Sequence, residues 1–191
     1  SALIAGRAAA FAASRPVLAL DIAGNGDSDP LSQAGANVEA FADDVLTVLT
    51  ACGVDDFDLY GESSGATLAA AVAQRAGQHV GKIILDRPEF PGDGIRTDLI
   101  ASIAPPIEAT WDGTHFLTAW HMLRDAALFW PWYNRTREGV RDIEPDIEPV
   151  ALQARLVAWL KGRLTYGDYI RATLGTDMGS LLQSVSQPVL V

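Results

Sequence analysis

The sequence predicts an α/β fold, a mostly parallel sheet with flanking helices plus an added helical layer, and three observations carry that expectation. Over the first 90 residues, short apolar runs of strand length alternate with segments whose apolar residues recur at three- and four-residue spacing. Some of these runs are continuously apolar, which suits strands buried on both faces, and parallel strands joined by helical crossovers are covered in that way. From Trp111 to Tyr169 no strand pattern appears, and this stretch holds all five tryptophans and 10 of the 15 aromatic residues. A separate helical layer is expected there.

Taken in order, the alanine-rich Ala2 to Ser14 reads as a helix. As a secretory leader it lacks a basic start and carries Arg7 inside what would be the apolar region. Arg15-Pro16 ends the helix, because a residue before proline is pushed out of helical geometry. Val17 to Ile22 is then too continuously apolar to be half exposed and is expected as a buried parallel strand. Gly24 to Pro30 is a loop of turn-forming residues, and Val38, Phe41, Val45, Leu46 and Leu49 make one helical face that Gly53 ends. Phe57 to Tyr60 is the next strand, Thr67 to Arg75 an alanine-rich helix before Gly77, and Lys82 to Asp86 a third strand. Gln187 to Val191 starts another buried strand. The Glu-Pro pairs at 144–145 and 148–149 mark a short acidic loop, and the chain has no internal repeat.

Composition narrows the function. With 191 residues, 49% hydrophobic and 20% charged, the chain can bury one sizeable core and is not disordered. A net charge of -10 repels a phosphate backbone, so nucleic acid and anionic membrane are not expected partners. No apolar run approaches the roughly 18 residues that a membrane-spanning helix needs. A single cysteine, Cys52, can close no intramolecular disulfide and build no cysteine zinc site, which suits a reducing, cytoplasmic setting. Gly24-Asn25-Gly26 begins like a dinucleotide loop, but Asp29 stands at the third glycine's place and Asp27 adds negative charge where pyrophosphate would sit. No phosphate-binding P-loop occurs. Glu138, Asp142, Glu144, Asp146 and Glu148, mixed with Arg137 and Arg141, lack EF-hand spacing and read as a solvated face. No cofactor and no metal are expected.

Gly61-Glu62-Ser63-Ser64-Gly65 matches G-x-S-x-G between a predicted strand and a predicted helix. Such a corner holds the central serine in strained backbone geometry, and glycines at 61 and 65 would remove collisions with the adjoining strand and helix. Ser63 would then project at the carboxyl end of the sheet, where open α/β sheets bind ligands. The Ser64 N–H, at the helix start, would face a developing oxyanion.

These residues resemble the α/β-hydrolase superfamily, in its serine-nucleophile branch with a helical cap. Asp21 to Asp29 is similar to the family's D-x-P-G-x-G-x-S loop, with Ala23 where proline is common. Gly61 to Gly65 resembles the nucleophile elbow and Val80 to Asp86 the sixth strand. The resemblance implies a hydrolase core over 1–94, a helical cap over 95–182 and the start of the next core strand over 183–191. It also implies that Ser63 attacks an electrophilic carbonyl and forms an acyl-enzyme, since members that attack sp³ carbon carry a carboxylate at that position. Esters are the first expectation. A carbon–carbon hydrolase of the same fold, or a non-catalytic domain binding a ligand or partner, are the alternatives.

A serine nucleophile needs a base, and the base an orienting acid. By the resemblance, the acid and histidine commonly follow the seventh and eighth strands, beyond Val191, and a first oxyanion donor lies before Ser1. The chain is thus expected to be part of a longer or processed protein, with a companion segment supplying the remaining strands and the histidine. Within the chain, Asp86 stands where some members place the acid, and His115 follows it in the family's order; His121 lies in the expected cap with His115, and His79, before the sixth strand on the side away from the elbow, reads as a solvated loop residue. Glu62, Trp111, Phe116, Trp120 and Trp130 are the candidate substrate-binding residues, the aromatic ones lining a pocket for a small hydrophobic or aromatic acyl group. Arg124 and Arg135 could hold a substrate carboxylate or pair with Asp125 or Glu138.

Overall fold

The structure, a computed structural model, describes residues 5–32, 35–90 and 93–191. The elements in order are α1 (Ala5–Ala12), α2 (Val38–Ala51), β1 (Phe57–Glu62), α3 (Ser64–Ala76), β2 (Val80–Asp86), α4 (Asp93–Ser102), α5 (Thr114–Leu128), α6 (Pro149–Lys161), α7 (Tyr166–Leu174), α8 (Met178–Gln183) and β3 (Val189–Leu190). They fall into two units, Ser1–Asp29 with Pro105–Gly167 and Pro30–Ala104 with Asp168–Val191. Among the described residues no helix is long and apolar enough to cross a membrane.

The second unit carries the sheet, ordered β1-β2-β3 and parallel throughout. Leu59, Tyr60, Gly61 and Glu62 stand opposite Ile83, Ile84, Leu85 and Asp86, and Ile83 and Ile84 stand opposite Val189 and Leu190. The β1–β2 register slips once, between Phe57 and Leu59. There the Asp58 carboxylate accepts the Lys82 N–H at 2.7 Å, and a Cβ at Gly81 would lie 2.7 Å from the same carboxylate oxygen, so a side chain there would displace Asp58. Helix α3 packs on both β1 and β2, and also on α2 and α8. That contact on several sides explains its composition: every residue from Ala66 to Ala73 is buried, and small side chains let the neighbouring backbones approach. Helix α2 opens on Asn37, whose side chain accepts the Ala40 N–H at 3.1 Å, and buries Val38, Phe41, Val45 and Leu49 as its spacing predicts, with Ala42 buried beside them and Leu46 only half-buried.

In the first unit α5 packs on α6. The Tyr166 hydroxyl donates to the Pro105 carbonyl at 3.0 Å, with the Trp159 ring edge-on at 4.8 Å. Asp125, only 1% exposed, is held by Arg124 at 2.6 Å and Arg135 at 2.6 Å, so both arginines pair with a buried carboxylate rather than wait for a substrate. The Gly24–Asp29 loop closes on itself. Ser28 Oγ donates to the Asp21 carbonyl at 2.6 Å, the Gly24 N–H donates to the Asp29 carbonyl at 2.9 Å, and Gly26 takes a φ of +55° beside the Asp21 carboxylate. The turn after α6 docks on it, Thr165 Oγ1 donating to the Gly24 carbonyl at 2.6 Å and Lys161 pairing with Asp27 at 2.7 Å.

Two expectations about strands are corrected. Strand β3 pairs with β2, but Val189 and Leu190 are exposed rather than buried. Val17 to Ile22 is irregular chain, with Val17 42% and Leu18 49% exposed. Side-chain character is only half of a strand; the other half is a ladder neighbour, which this segment does not find among the described residues. From Trp111 to Tyr169 the described chain holds α5, α6 and the start of α7, while 129–148 is irregular apart from a short 3-10 turn at Arg137–Gly139 and one isolated antiparallel bridge between Phe129 and Val140.

Candidate functional site

Ser63 sits between the last residue of β1 and the first of α3, with φ 54° and ψ −121°. An L-residue rarely adopts that conformation, which costs on the order of 1–3 kcal/mol. Three contacts hold it. The Ser63 N–H donates to the Asp86 carbonyl of β2 at 2.9 Å. The Ala66 N–H donates to the Ser63 carbonyl at 2.9 Å, starting α3. Gly61 lies so close under the helix start that a Cβ would meet the Gly65 carbonyl oxygen at 2.1 Å. The collision expected at Gly65 itself is absent: among the described residues a Cβ there has no neighbour within 4 Å. The two glycines of the motif therefore have unequal work, the first sterically required and the second permissive.

The Ser63 hydroxyl donates to Glu89 Oε1. Sequence reasoning passed over Glu89, because it belongs to no motif and reaches the corner only through the turn after β2. In that turn Arg87 takes a φ of 53°, and its guanidinium pairs with Glu62 and lies 3.4 Å from Asp86 Oδ1. A charged residue flanked by proline directly after a buried strand was the available signal.

Asp86 is at the end of β2, and the Tyr60 hydroxyl donates to its Oδ2 at 2.6 Å. With one oxygen on Tyr60 and the other facing Arg87, this carboxylate works as a brace between β1 and β2. Ser64, first residue of α3, has a side chain near enough to the Tyr169 hydroxyl to act on its titration. Burial pushes the Tyr169 phenol well above its ordinary value; the Ser64 side chain pulls the other way, and the Glu89 charge adds to the rise. Tyr169 thus keeps its proton, with the Phe41 ring edge-on at 5.4 Å. The first N–H groups of an α-helix have no acceptor within the helix, so the start of α3 favours negative charge.

Glu62, Ser63, Ser64, Asp86 and His79 all belong to the sheet unit, and His115, His121, Trp111, Phe116, Trp120 and Trp130 belong to the other. His115 is in the first turn of α5, stacked on Phe116 at 4.0 Å. Its Nδ1 accepts the Thr110 N–H at 3.1 Å, so the neutral ring carries its proton on Nε2. A triad base instead presents an acceptor at Nε2 and donates from Nδ1. Trp111 is 99% exposed in the turn before α5; Phe116 and Trp130 are exposed, and Trp120 is half-buried on α5.

Residues 6–127 match the family model described as alpha/beta hydrolase fold. No curated protein matches the sequence. Among solved structures, the chain is similar to a hydrolase from Pseudomonas aeruginosa PA01, with 21% identity and a TM-score of 0.69 over 100% of this chain and 65% of that one. It is also similar to the enol-lactonase from Burkholderia xenovorans LB400, at 19% identity and a TM-score of 0.70 over 100% and 66%. A thermophilic esterase from Thermogutta terrifontis follows at 22% identity and a TM-score of 0.59 over 89% and 58%. The chain therefore spans just under two thirds of the length of the first two.

Proposed function

Since the chain belongs to the α/β-hydrolase fold family, we propose that it is a serine hydrolase cleaving a carboxylic ester or related acyl bond of a small hydrophobic substrate through an acyl-enzyme. One observation carries the reading: the backbone of Ser63 at φ 54° and ψ −121°, where the end of β1 turns into α3. Strain of this kind persists only where surrounding contacts impose it, and it gathers at sites that use the exposed side chain. Here the imposed geometry lifts one hydroxyl from the carboxyl end of a parallel sheet, at the start of a helix.

In this reaction Ser63 Oγ attacks the acyl carbonyl, and the negative charge that develops on the carbonyl oxygen is met by the Ser64 N–H and the dipole of α3. Water then releases the acid. Asp86 takes part as the brace that holds the corner through its carbonyl bond to the Ser63 N–H. The similarity to an enol-lactonase and an esterase supports an acyl bond as the one broken.

A fluorophosphonate probe tests this on the full native polypeptide. Labelling that disappears in Ser63→Ala is the expected result; a wild-type protein that takes no label rejects the activated serine. A matched ester, lactone and vinylogous diketone then separate acyl-oxygen from carbon–carbon cleavage by their products.

A further inference from the structure

The turn that follows β2 supports an inference that rests on the serine-hydrolase reading. Glu62 stands opposite Asp86 at the ends of β1 and β2, so the next residues of the two strands are Ser63 and Arg87. Both leave extended geometry at the same level, Ser63 with a φ of 54° and Arg87 with 53°, and among the described residues no other non-glycine residue takes a positive φ. Arginine gains nothing locally from that backbone, since it has a Cβ and lacks the short polar side chain with which Asn or Asp bonds to its own main chain. The conformation is imposed by its surroundings, and strain of this kind gathers where a site depends on it.

What holds Arg87 is the corner itself. Its guanidinium pairs with Glu62, the residue before Ser63, and lies 3.4 Å from Asp86 Oδ1. Asp86 supplies the carbonyl that accepts the Ser63 N–H at 2.9 Å, and its other carboxylate oxygen accepts from the Tyr60 hydroxyl at 2.6 Å. One side chain thus reaches both strand ends, and each contact it makes is one step from the Ser63 backbone. A planar fork of several donors suits that task better than a single ammonium.

We propose that Arg87 is a positioning residue for Ser63. By tying Glu62 to Asp86 it fixes the spacing of β1 and β2 beyond their last paired residues, and so keeps the Ser63–Asp86 backbone bond formed while Oγ bonds to the acyl carbon. With the tie cut, Oγ and the Ser64 N–H drift against the acyl group, and a misplacement of about an ångström costs up to about 100-fold in rate. Arg87 takes no proton in this role and contacts no reacting atom. Its effect falls on the rate of bond formation and not on how the acyl group is held.

The test is fluorophosphonate labelling of the full native polypeptide, with the maximal rate separated from the probe's half-saturation, alongside urea unfolding. Arg87→Gly removes the guanidinium and, having no Cβ, also relieves the backbone strain. Its ion pairs are partly exposed and contribute little to stability, so this variant is expected to unfold at or above the wild-type urea concentration. Its maximal labelling rate should nevertheless fall about 10- to 100-fold with half-saturation little changed. Arg87→Lys keeps the charge without the fork, and its rate should lie between those of Arg87→Gly and the wild type. Wild-type labelling by Arg87→Gly, with none by Ser63→Ala, overturns the role of Arg87 and leaves Ser63 standing. A slower rate that comes with a lower urea midpoint in Arg87→Gly also overturns it, as a contact that merely supports the fold. So does a raised half-saturation at an unchanged maximal rate. An unlabelled wild type removes the serine-hydrolase reading and the role of Arg87 with it.

Discussion

Replacing Gly61 with alanine puts a methyl carbon 2.1 Å from the Gly65 carbonyl oxygen, 2.5 Å from its carbonyl carbon and 2.8 Å from the Ala66 nitrogen. All three are backbone atoms of the α3 start, so no rotamer change can make room. Relief requires β1 and α3 to part by about an ångström, since carbon and oxygen are in ordinary contact only beyond roughly 3.2 Å. That movement pulls on the Ser63–Asp86 backbone bond and the buried alanine face of α3. Overpacking of a core costs about 1–3 kcal/mol when side chains can adjust, and with backbone on every side the cost here belongs at about 3 kcal/mol. Against a total stability on the order of 5–15 kcal/mol, Gly61→Ala should lower the urea midpoint by about 1–2 M. Gly65→Ala is the control, because nothing stands within 4 Å of its Cβ among the described residues. Alanine is the better helix former by up to about 1 kcal/mol, so its midpoint should hold or rise. The steric account fails if Gly61→Ala unfolds at the wild-type urea concentration, or if Gly65→Ala is the more damaging of the two.

Three further outcomes follow from the same structure. Ser63→Gly should be more stable than Ser63→Ala by about 1 kcal/mol in urea unfolding, because glycine adopts a positive φ without strain; equal midpoints would mean that the corner stores none. Asp125→Asn should cost about 2 kcal/mol, less than a fully enclosed pair because Arg124 and Arg135 are 38% and 59% exposed and can turn to water; an unchanged midpoint would show that the buried carboxylate is not holding α5 to the following loop. Asp177 caps α8, accepting from the Gly179 N–H at 3.0 Å and from Ser180 Oγ at 2.7 Å, and these bonds, Ser180 first, hold its carboxyl below 3.8. A depressed folded value means that the charge contributes stability above 3.8 and loses it as pH falls through the lower folded value. The wild-type advantage over Asp177→Asn should accordingly be steady near neutrality and shrink only below that point; a gap that closes well above it contradicts the bonding.

Local chemistry was legible in the residue order. Three- and four-residue spacing placed the buried face of α2 at Val38, Phe41, Val45 and Leu49, and G-x-S-x-G between a strand and a helix located the corner at Ser63. Both signals are complete within a few residues, since a helix bonds to itself and a tight turn is set by which positions lack a side chain. Three features were not local. Val17 to Ile22 had the composition of a strand, but a strand exists only by pairing with another segment. Gly65 looked equivalent to Gly61, and only the approach of helix to strand made one indispensable. His115 stood in the family's order, yet the proton that Thr110 assigns to its ring decides what it can accept.

Torsional limits and hydrophobic periodicity act along the chain, so the residue order alone located α2, β1, α3, β2 and β3 and the strained serine at the β1–α3 corner. Tertiary structure alone decided which carboxylate meets its hydroxyl. Glu89 and Ser63 are 26 positions apart, and they come within hydrogen-bonding reach because β1 and β2 run parallel and end level with each other, with Arg87 turning the chain back at that end.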